Sequence, residues 1–207
     1  MNQITFQQYR SIDLAMFTFV LAVFEAITTI ATTTWFAAQP VAISISLAII
    51  CVVMMRWGWR AVLPAVAGGF VFCVASGATM EQYLIYCIGN VFALLALGII
   101  KIFDKETIRK SVPKLMLFVF VAYIGMALGR WTVSLAFGGD LTALLVYVTT
   151  DIISLLFAEV ILLILRKTDG MIEDQKAYLL RVDRERREEE EHPVLEEEYE
   201  TVERLHR

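Results

Sequence analysis

The stretch LMLFVFVAYIGMALGRWTVSLAF, residues 115–137, carries a single charged side chain, that of Arg130. A helix needs about 20 mostly apolar residues to cross the hydrocarbon core of a bilayer, and this stretch is long enough to do so. It is therefore predicted to be a transmembrane helix. A charge inside the hydrocarbon layer is costly and usually has a function, so we expect a polar site around Arg130.

Similar apolar stretches lie on both sides of this one. The chain has 207 residues, of which 58% are hydrophobic, and its mean hydropathy is +0.65, which is typical of membrane proteins. Residues 167–207 are instead rich in charge and are predicted to form a cytoplasmic helical tail. The sequence thus predicts an all-α membrane protein, in which residues 1–166 form a bundle of six transmembrane helices at about 12–32, 40–55, 60–77, 82–100, 115–137 and 142–165.

The basic residues of the loops predict how the bundle is oriented. Lys and Arg occur at Arg10, in the segments 56–60 and 101–114, and at 166–167, whereas the loops 32–40, 77–82 and 138–142 contain neither. Cytoplasmic loops carry an excess of Lys and Arg. Both termini are therefore predicted to be cytoplasmic, in a multi-pass protein of the plasma membrane with the lipid bilayer around it.

Several classes of function lack the residues they need. Cys51, Cys73 and Cys87 lie in apolar stretches without a CxxC pair, and the two histidines, His192 and His206, lie in the tail. Neither a metal site nor a nucleophile with its general base can be assigned, so no metal, no cofactor and no enzymatic activity are predicted. The chain has no GxxxxGK[ST] loop and no basic stripe with interleaved aromatic residues, so neither ATP hydrolysis nor nucleic-acid binding is expected.

Four of the predicted helices carry polar side chains on one face. In each of them, spacings of three, four, seven or eleven residues bring the polar groups to the same side. At a rise of about 1.5 Å per residue, the charged and amide groups lie roughly 11 to 15 Å from the outer ends of their helices, at a common depth. Together with nearby aromatic residues they form the candidate substrate site: Glu25, Thr29, Trp35, Tyr86, Asn90, Arg130, Tyr147 and Asp151.

These residues allow two interpretations. Arg130 could pair with Asp151 or Glu25 in an internal ion-pair network that binds no ligand and only pins the bundle. A self-contained pair needs one acid, however, and two are present, while aromatic residues near the same end are typical of a ligand pocket. Because Tyr and Trp are also common at membrane interfaces, both interpretations stay open at this stage.

The candidate site also indicates the chemistry of a ligand. Arg130 suits a carboxylate or a phosphate. The carboxylates of Glu25 and Asp151 suit amino or ring N–H groups, and Trp35 or Tyr86 could stack on a flat heterocycle. A zwitterionic or heteroaromatic vitamin-like molecule would match all three features, as would a modified nucleobase.

Two further parts of the chain are expected to bind a partner or to move. Ala15, Ala22 and Ala26 form a smooth stripe on the first helix, about a quarter turn from Glu25, against which a partner helix could pack. The loop Thr32–Pro40 connects the first two predicted helices on the outer side and is the expected lid of the candidate site.

Several short stretches give the chain a resemblance to a known family. Ala22-xxx-Ala26 looks like the AxxxA motif on the first helix of that family. The other stretches are YRSIDL at residues 9–14, MRWG at 55–58, IGN at 88–90, Gly129-Arg130, and Asp169-Gly170 with Glu173-Asp174-Gln175. Over about residues 10–166, the chain resembles the substrate-binding S components of energy-coupling factor (ECF) transporters, in a branch without an assigned substrate.

The resemblance implies a function. An S component captures a vitamin or similar micronutrient in an outward-facing cavity, docks on a transmembrane coupling protein with two cytoplasmic ATPases, and reorients to release the substrate inside. The nickel and cobalt branches of that family use an N-terminal histidine. Met1-Asn2-Gln3 contains none, so a metal substrate is not expected here.

Two other functions are compatible with the sequence. A stand-alone secondary transporter, or an ion or proton pathway, would use Glu25, Asp151 and Glu159 as relay carboxylates. The third alternative is an intramembrane enzyme or an assembly factor, in which the acidic tail would serve the assembly role.

Overall fold

The computed structural model describes residues 5–35 and 43–188, and every regular element in these two ranges is helical. The helices are α1 Phe6–Trp35, α2 Ser46–Trp57, α3 Val62–Ser76, α4 Met80–Val91, α5 Leu97–Phe103, α6 Lys105–Lys110, α7 Val112–Leu135, α8 Leu141–Thr150 and α9 Ile152–Leu165, followed by α10 at 175–188. Two 3₁₀ turns, Gly58–Ala61 and Phe92–Ala96, join α2 to α3 and α4 to α5. Three regions discussed above lie outside the described residues: Met1-Asn2-Gln3, the part of the expected lid at 36–40, and the acidic end at 189–207.

Four helical stretches of the described chain are long and apolar enough to cross a membrane: Phe6–Trp35, Ser46–Ser76, Met80–Phe103 and Val112–Leu135. A fifth span results if α8 and α9, which are bent by 43° relative to each other, count as one broken helix. The predicted all-α fold and its multi-pass membrane character are thus confirmed. The predicted count of six spans is not confirmed by this measure, which gives four or five because it takes Ser46–Ser76, where most of the second and third predicted helices lie, as a single stretch.

The stretch Ser46–Ser76 folds back on itself at Gly58. The φ angle of Gly58 is 64°, which glycine adopts without the steric cost that a side chain would bring. The start of α2 then lies beside the middle of α3, since a Cβ atom added to Gly68 would be 2.4 Å from Ser46 Oγ. α2 and α3 are therefore two short antiparallel helices of 12 and 15 residues, about 18 and 22 Å long.

α2 is the centre of the bundle. All twelve of its residues are buried, and it packs against α1, α3, α7 and α9. Its run IICVVMM at 49–55 has no polar face, which is the pattern of a helix surrounded by others. By contrast, large apolar side chains on the outside of the bundle are exposed, as at Phe19 (69%) and Phe157 (52%), which suits a surface in contact with lipid.

Glycines bring α4 and α7 into close contact. A Cβ atom added to Gly129 would lie 2.5 Å from the carbonyl oxygen of Gly89, and one added to Gly89 would lie 2.7 Å from the backbone nitrogen of Arg130. Small residues at such positions allow two helices to approach backbone to backbone. This contact sets the register in which Asn90 of α4 stands beside Arg130 of α7.

Arg56 joins segments from both ends of the described chain. Its guanidinium forms a two-point ion pair with Asp13 of α1, with Nη2 2.6 Å from Oδ1 and Nε 3.0 Å from Oδ2. The third nitrogen, Nη1, donates to the carbonyl oxygens of Gly170 at 2.6 Å and Met171 at 3.1 Å. Trp57 Nε1 also donates to Asp13, at 2.5 Å. α1, α2 and the segment after α9 therefore meet at one buried charge pair.

The segment after α9 is docked on the bundle. Ile172 and Gln175 are 0% and 1% exposed. Gln175 Nε2 donates to the carbonyl of Gly170 at 2.7 Å, and Gln175 Oε1 accepts a hydrogen bond from the hydroxyl of Tyr9 at 3.1 Å. Ion pairs tie the same segment to α6 and α10: Lys105–Asp174, Arg109–Glu173 and Arg181–Glu173.

Candidate functional site

Arg130 is the centre of the polar groups inside the bundle. Its side chain is 4% exposed, and that of Asn90 is 1% exposed. Arg130 Nε donates to Asn90 Oδ1 at 3.0 Å, while Asn90 Nδ2 donates to the carbonyl oxygen of Ala65 at 3.4 Å. The amide of Asn90 is thus held from both sides, and it turns its oxygen towards the guanidinium.

Asp151 supplies the negative charge that faces Arg130. It lies at the break between α8 and α9, it is 4% exposed, and its Oδ2 pairs with Arg130 Nη1. The attraction within such a buried pair is largely offset by desolvation, but the loss of one partner costs about 3–5 kcal/mol. Of the two pairings considered from the sequence, the structure has Arg130 with Asp151.

Two tyrosines cover one side of this ion pair. The ring of Tyr86 lies 4.6 Å from Arg130 Cζ, in a cation–π contact. Tyr147 meets Tyr86 edge-on, with ring centroids 6.3 Å apart and an interplanar angle of 89°. Both rings are half-buried. We call Tyr86, Asn90, Arg130, Tyr147 and Asp151 the arginine cluster.

One nitrogen of Arg130 has no partner within the described residues. Nε and Nη1 make hydrogen bonds to Asn90 and Asp151, whereas Nη2 makes none to residues 5–35 or 43–188. A guanidinium has five N–H groups in a planar fork, two of them on each terminal nitrogen. Nη2 can therefore donate to a further acceptor without disrupting the contacts that position the side chain.

Glu25 is also buried, at 1% exposed, but its partners are different. Its Oε2 accepts hydrogen bonds from Ser44 Oγ at 2.9 Å, from the backbone nitrogen of Ile45 at 3.0 Å and from that of Ser46 at 3.1 Å. The first N–H groups of a helix lack partners within the helix, and negative charge is favourable there. Glu25 of α1 therefore caps α2. Its charge acts on Arg130 only through space, so Glu25 is not a spare acid beside the guanidinium.

Thr29 lies one turn after Glu25 and is 2% exposed. Its Oγ1 has no hydrogen-bond partner among the residues described. The neighbouring hydroxyls of Thr28, Thr32 and Thr33 each donate to the carbonyl four residues earlier. Since a buried hydroxyl without a partner costs free energy, a water molecule or a polar ligand atom would be stabilised at Thr29.

Trp35 is far more exposed than the rest of the candidate site, at 77%. It lines an apolar cavity of about 470 Å³ between α1, residues 43–45 and α9, and no other residue of the candidate site lines that cavity. The structure thus divides the predicted site in two. The arginine cluster holds five of its residues, while Glu25, Thr29 and Trp35 are arranged along α1.

The other residues singled out from the sequence lie outside the arginine cluster. Ala15 is exposed, and Ala22 and Ala26 are half-buried on α1. Glu159 of α9 is half-buried and makes no ion pair with the described part of the chain. Glu25, Asp151 and Glu159 therefore have separate surroundings. Residues 5–35 and 43–188 contain no group of three or more His, Cys, Asp or Glu side chains that could hold a metal ion.

The ion pair of Asp13 with Arg56 was not found from the sequence. Arg56 was expected in an interfacial turn, and Asp13 lies close to the start of the first predicted helix. The only available signal was that Asp13 is the single acid among residues 1–24. That signal does not identify a partner, because the basic segments of the chain offer many cations at the same level.

No protein-family model matches the chain, and no curated protein or solved structure matches it. Its function is therefore inferred from its own residues and their arrangement.

Proposed function

We propose that this chain is a membrane-embedded subunit that binds one small polar solute at the arginine cluster and hands it to an ATP-driven module, as its resemblance to ECF S components implies. The observation that carries the proposal is the state of Arg130. This guanidinium is buried inside the bundle and held by Asn90 and Asp151, and its Nη2 has no acceptor within the described residues. A carboxylate or phosphate of a solute would be that acceptor.

The tyrosines of the arginine cluster suit the remainder of such a solute. Arg130, Asn90 and Asp151 are each at most 4% exposed, so a ligand reaches them only if covering side chains move aside, and Tyr86 and Tyr147 are two that cover the ion pair. Aromatic faces around a few orienting polar groups are typical of small-molecule sites. A flat heterocycle with one acidic group could stack on Tyr86 while its N–H groups donate to Asp151.

The proposed topology has six spans and both termini in the cytoplasm of a cell whose plasma membrane holds the chain. α2 and α3 would be two short spans on either side of the turn at Gly58. The ion pair of Lys105 with Asp174 and the hydrogen bond from Arg56 to Gly170 support this topology, because they gather the basic loops and the tail at one end of the bundle. Proteins with basic loops at one end have that end in the cytoplasm.

A charge swap tests the solute site. The purified chain is screened for thermal stabilisation by a panel of water-soluble vitamins, their carboxylated precursors and modified nucleobases. In the double variant Arg130→Asp with Asp151→Arg, an ion pair is retained, but the guanidinium N–H donors move from position 130 to position 151. We expect this variant to fold and to lose stabilisation by the solute that protects the wild type.

A swapped variant that still bound the solute would contradict the site, because the pair would then be only structural. Tyr86→Leu should weaken binding through loss of the stacking surface, whereas Tyr83→Leu serves as its matched control. Tyr83 lies one turn earlier on α4 and contacts Phe70, with ring centroids 5.7 Å apart, outside the arginine cluster.

The ATP-driven module is tested separately. Co-purification of the tagged chain with a transmembrane coupling protein and two ATPases is the expected result. Solute uptake into liposomes by the purified chain alone, without any ATPase, would overturn this part and favour a stand-alone transporter.

A further inference from the structure

A groove at the basic end of the bundle combines apolar walls with two cations. It lies between the start of α7 and the end of α9, and its volume is about 700 Å³. Its apolar lining includes Val112, Val160, Leu163 and Ile164, and Arg166 and Lys167 lie where α9 ends. No acidic residue of the described chain lines it.

The guanidinium of Arg166 is not fully paired by the residues around it. Its Nη1 is buried and has no hydrogen-bond partner among residues 5–35 and 43–188. The nearest acid along the chain, Asp169, is paired with Arg181 at 2.9 Å. Arg166 and Lys167 both line the groove, and neither forms an ion pair with a described residue. An anionic oxygen in the groove would therefore meet two cations that no acid of the described chain neutralises.

The walls of the groove open towards the side of the bundle. Val160 and Ile164 are 55% and 62% exposed, and both lie in the apolar part of α9. Val160 is seven residues before Lys167, or about 10 Å along the helix axis. That distance reaches from the headgroup region of a bilayer into its acyl chains. The groove therefore has a polar and an apolar part in the same order as a phospholipid.

We propose that this groove is a binding site for an anionic phospholipid. The phosphate would lie against Arg166 and Lys167, and one acyl chain would run along Val160 and Ile164. Basic pockets between transmembrane helices at the cytoplasmic side are known to bind anionic headgroups. The site is separate from the arginine cluster, and it does not depend on the proposed transport of a solute.

The test uses the full chain in a neutral detergent. Binding of dioleoyl phosphatidylglycerol is followed by native mass spectrometry and by the melting temperature, with dioleoyl phosphatidylcholine and inorganic phosphate as the other two additives. Of the three additives, we expect only phosphatidylglycerol to bind and to raise the melting temperature. Arg166→Ala and Lys167→Ala should each weaken its binding about fivefold, the usual effect of one cation near a charged membrane surface.

Matched variants make the result decisive. Lys176→Ala removes an exposed cation from the same end of the bundle but outside the groove, and it should bind the lipid as the wild type does. Ile164→Trp, at an exposed position of the groove wall, fills the groove and keeps both cations, so it should weaken binding without changing the melting temperature of the lipid-free protein. The proposal is overturned if Arg166→Ala and Ile164→Trp bind phosphatidylglycerol normally, if phosphatidylcholine binds equally well, or if inorganic phosphate alone gives the full stabilisation.

Discussion

Asp13 and Arg56 form an ion pair that is almost completely shielded from solvent, with side chains that are 7% and 6% exposed. The carboxylate of Asp13 receives three N–H groups, two from Arg56 and one from Trp57. Every atom of the pair that needs a partner in the interior has one, which is the condition under which a buried ion pair is tolerated. The pair fixes how far α1 and α2 are shifted relative to each other.

Loss of Asp13 should therefore be severe. Asp13→Ala leaves the guanidinium of Arg56 buried without a counter-charge, and we expect it to lower the free energy of unfolding by about 3–5 kcal/mol. Unfolding of the purified chain in detergent by a denaturant titration measures this. Glu106→Ala is the control, since Glu106 forms an exposed pair with Lys110 on α6 and its loss should cause no measurable change. Equal stability of Asp13→Ala and the wild type would show that the pair does not hold the helices together.

The contact of α4 with α7 should not tolerate a methyl group. A Cβ at position 129 would lie 2.5 Å from the carbonyl oxygen of Gly89, so the helices would have to move apart. We expect Gly129→Ala to destabilise the chain by about 1–3 kcal/mol and to loosen the hydrogen bond of Arg130 to Asn90. Gly98→Ala is the control, because nothing lies within 4 Å of the added atom. Alanine there should stabilise by up to about 1 kcal/mol.

Replacement of Glu25 should weaken the start of α2. Glu25→Ala removes the acceptor of three hydrogen bonds, and each buried donor that is left unpaired costs about 1–3 kcal/mol. Hydrogen exchange at the amides of Ile45 and Ser46 should then become faster. Glu25→Gln keeps one acceptor oxygen and should lie between Glu25→Ala and the wild type. Unchanged exchange in Glu25→Ala would contradict the capping role. The control is Glu81→Ala, at the exposed start of α4, which should leave the exchange at Ile45 and Ser46 unchanged.

Docking of the segment after α9 should depend on pH through Asp174. Burial alone would raise the pKa of Asp174, but its hydrogen bond to Lys105 and the charge of that lysine outweigh burial, and the pKa lies below its ordinary value of 3.8. A carboxyl whose pKa is lowered by folding adds stability above its unfolded-state pKa and loses this contribution as the pH falls through the folded-state pKa.

Asp174→Asn should therefore lower the melting temperature at neutral pH, and its difference from the wild type should shrink as the pH falls below about 4. The measurement is a series of melting curves of the wild type and of Asp174→Asn, from neutral pH to below about 4. Glu188→Gln, an exposed position of α10, should match the wild type throughout. A difference that stays constant with pH would mean that Asp174 acts by packing and not by its charge.

Helical periodicity accounts for the part of the arginine cluster that the sequence predicted. A fixed rise and a fixed number of residues per turn determine the face and depth of Asn90, Arg130 and Asp151 within their helices. They do not determine whether a side chain forms hydrogen bonds with the backbone of another segment. Glu25 was expected beside Arg130, but it contacts the N–H groups that precede and begin α2, and the predicted start of that helix was 40 rather than Ser46.

Contacts between residues far apart in the sequence could not be predicted either, but the reason is different. Asp13, Arg56 and Gly170 are far apart in the sequence, and their contact depends on the packing of α1, α2 and the segment after α9. Each of these residues lies in one of the short stretches that were singled out in the sequence, as do Asn90 and Arg130. The residues that define those stretches are therefore contact points between helices as well as candidates for a site.

The two carbonyl oxygens that Arg56 holds have a mechanical consequence. The first helix and the residues that follow the last membrane helix are tied to one guanidinium, so they cannot splay apart at this end without breaking the same group of bonds. The bundle is thereby stiffened against separation of α1 from the segment after α9. A protein that pulled on residues 170–175 would transmit its force directly to α1.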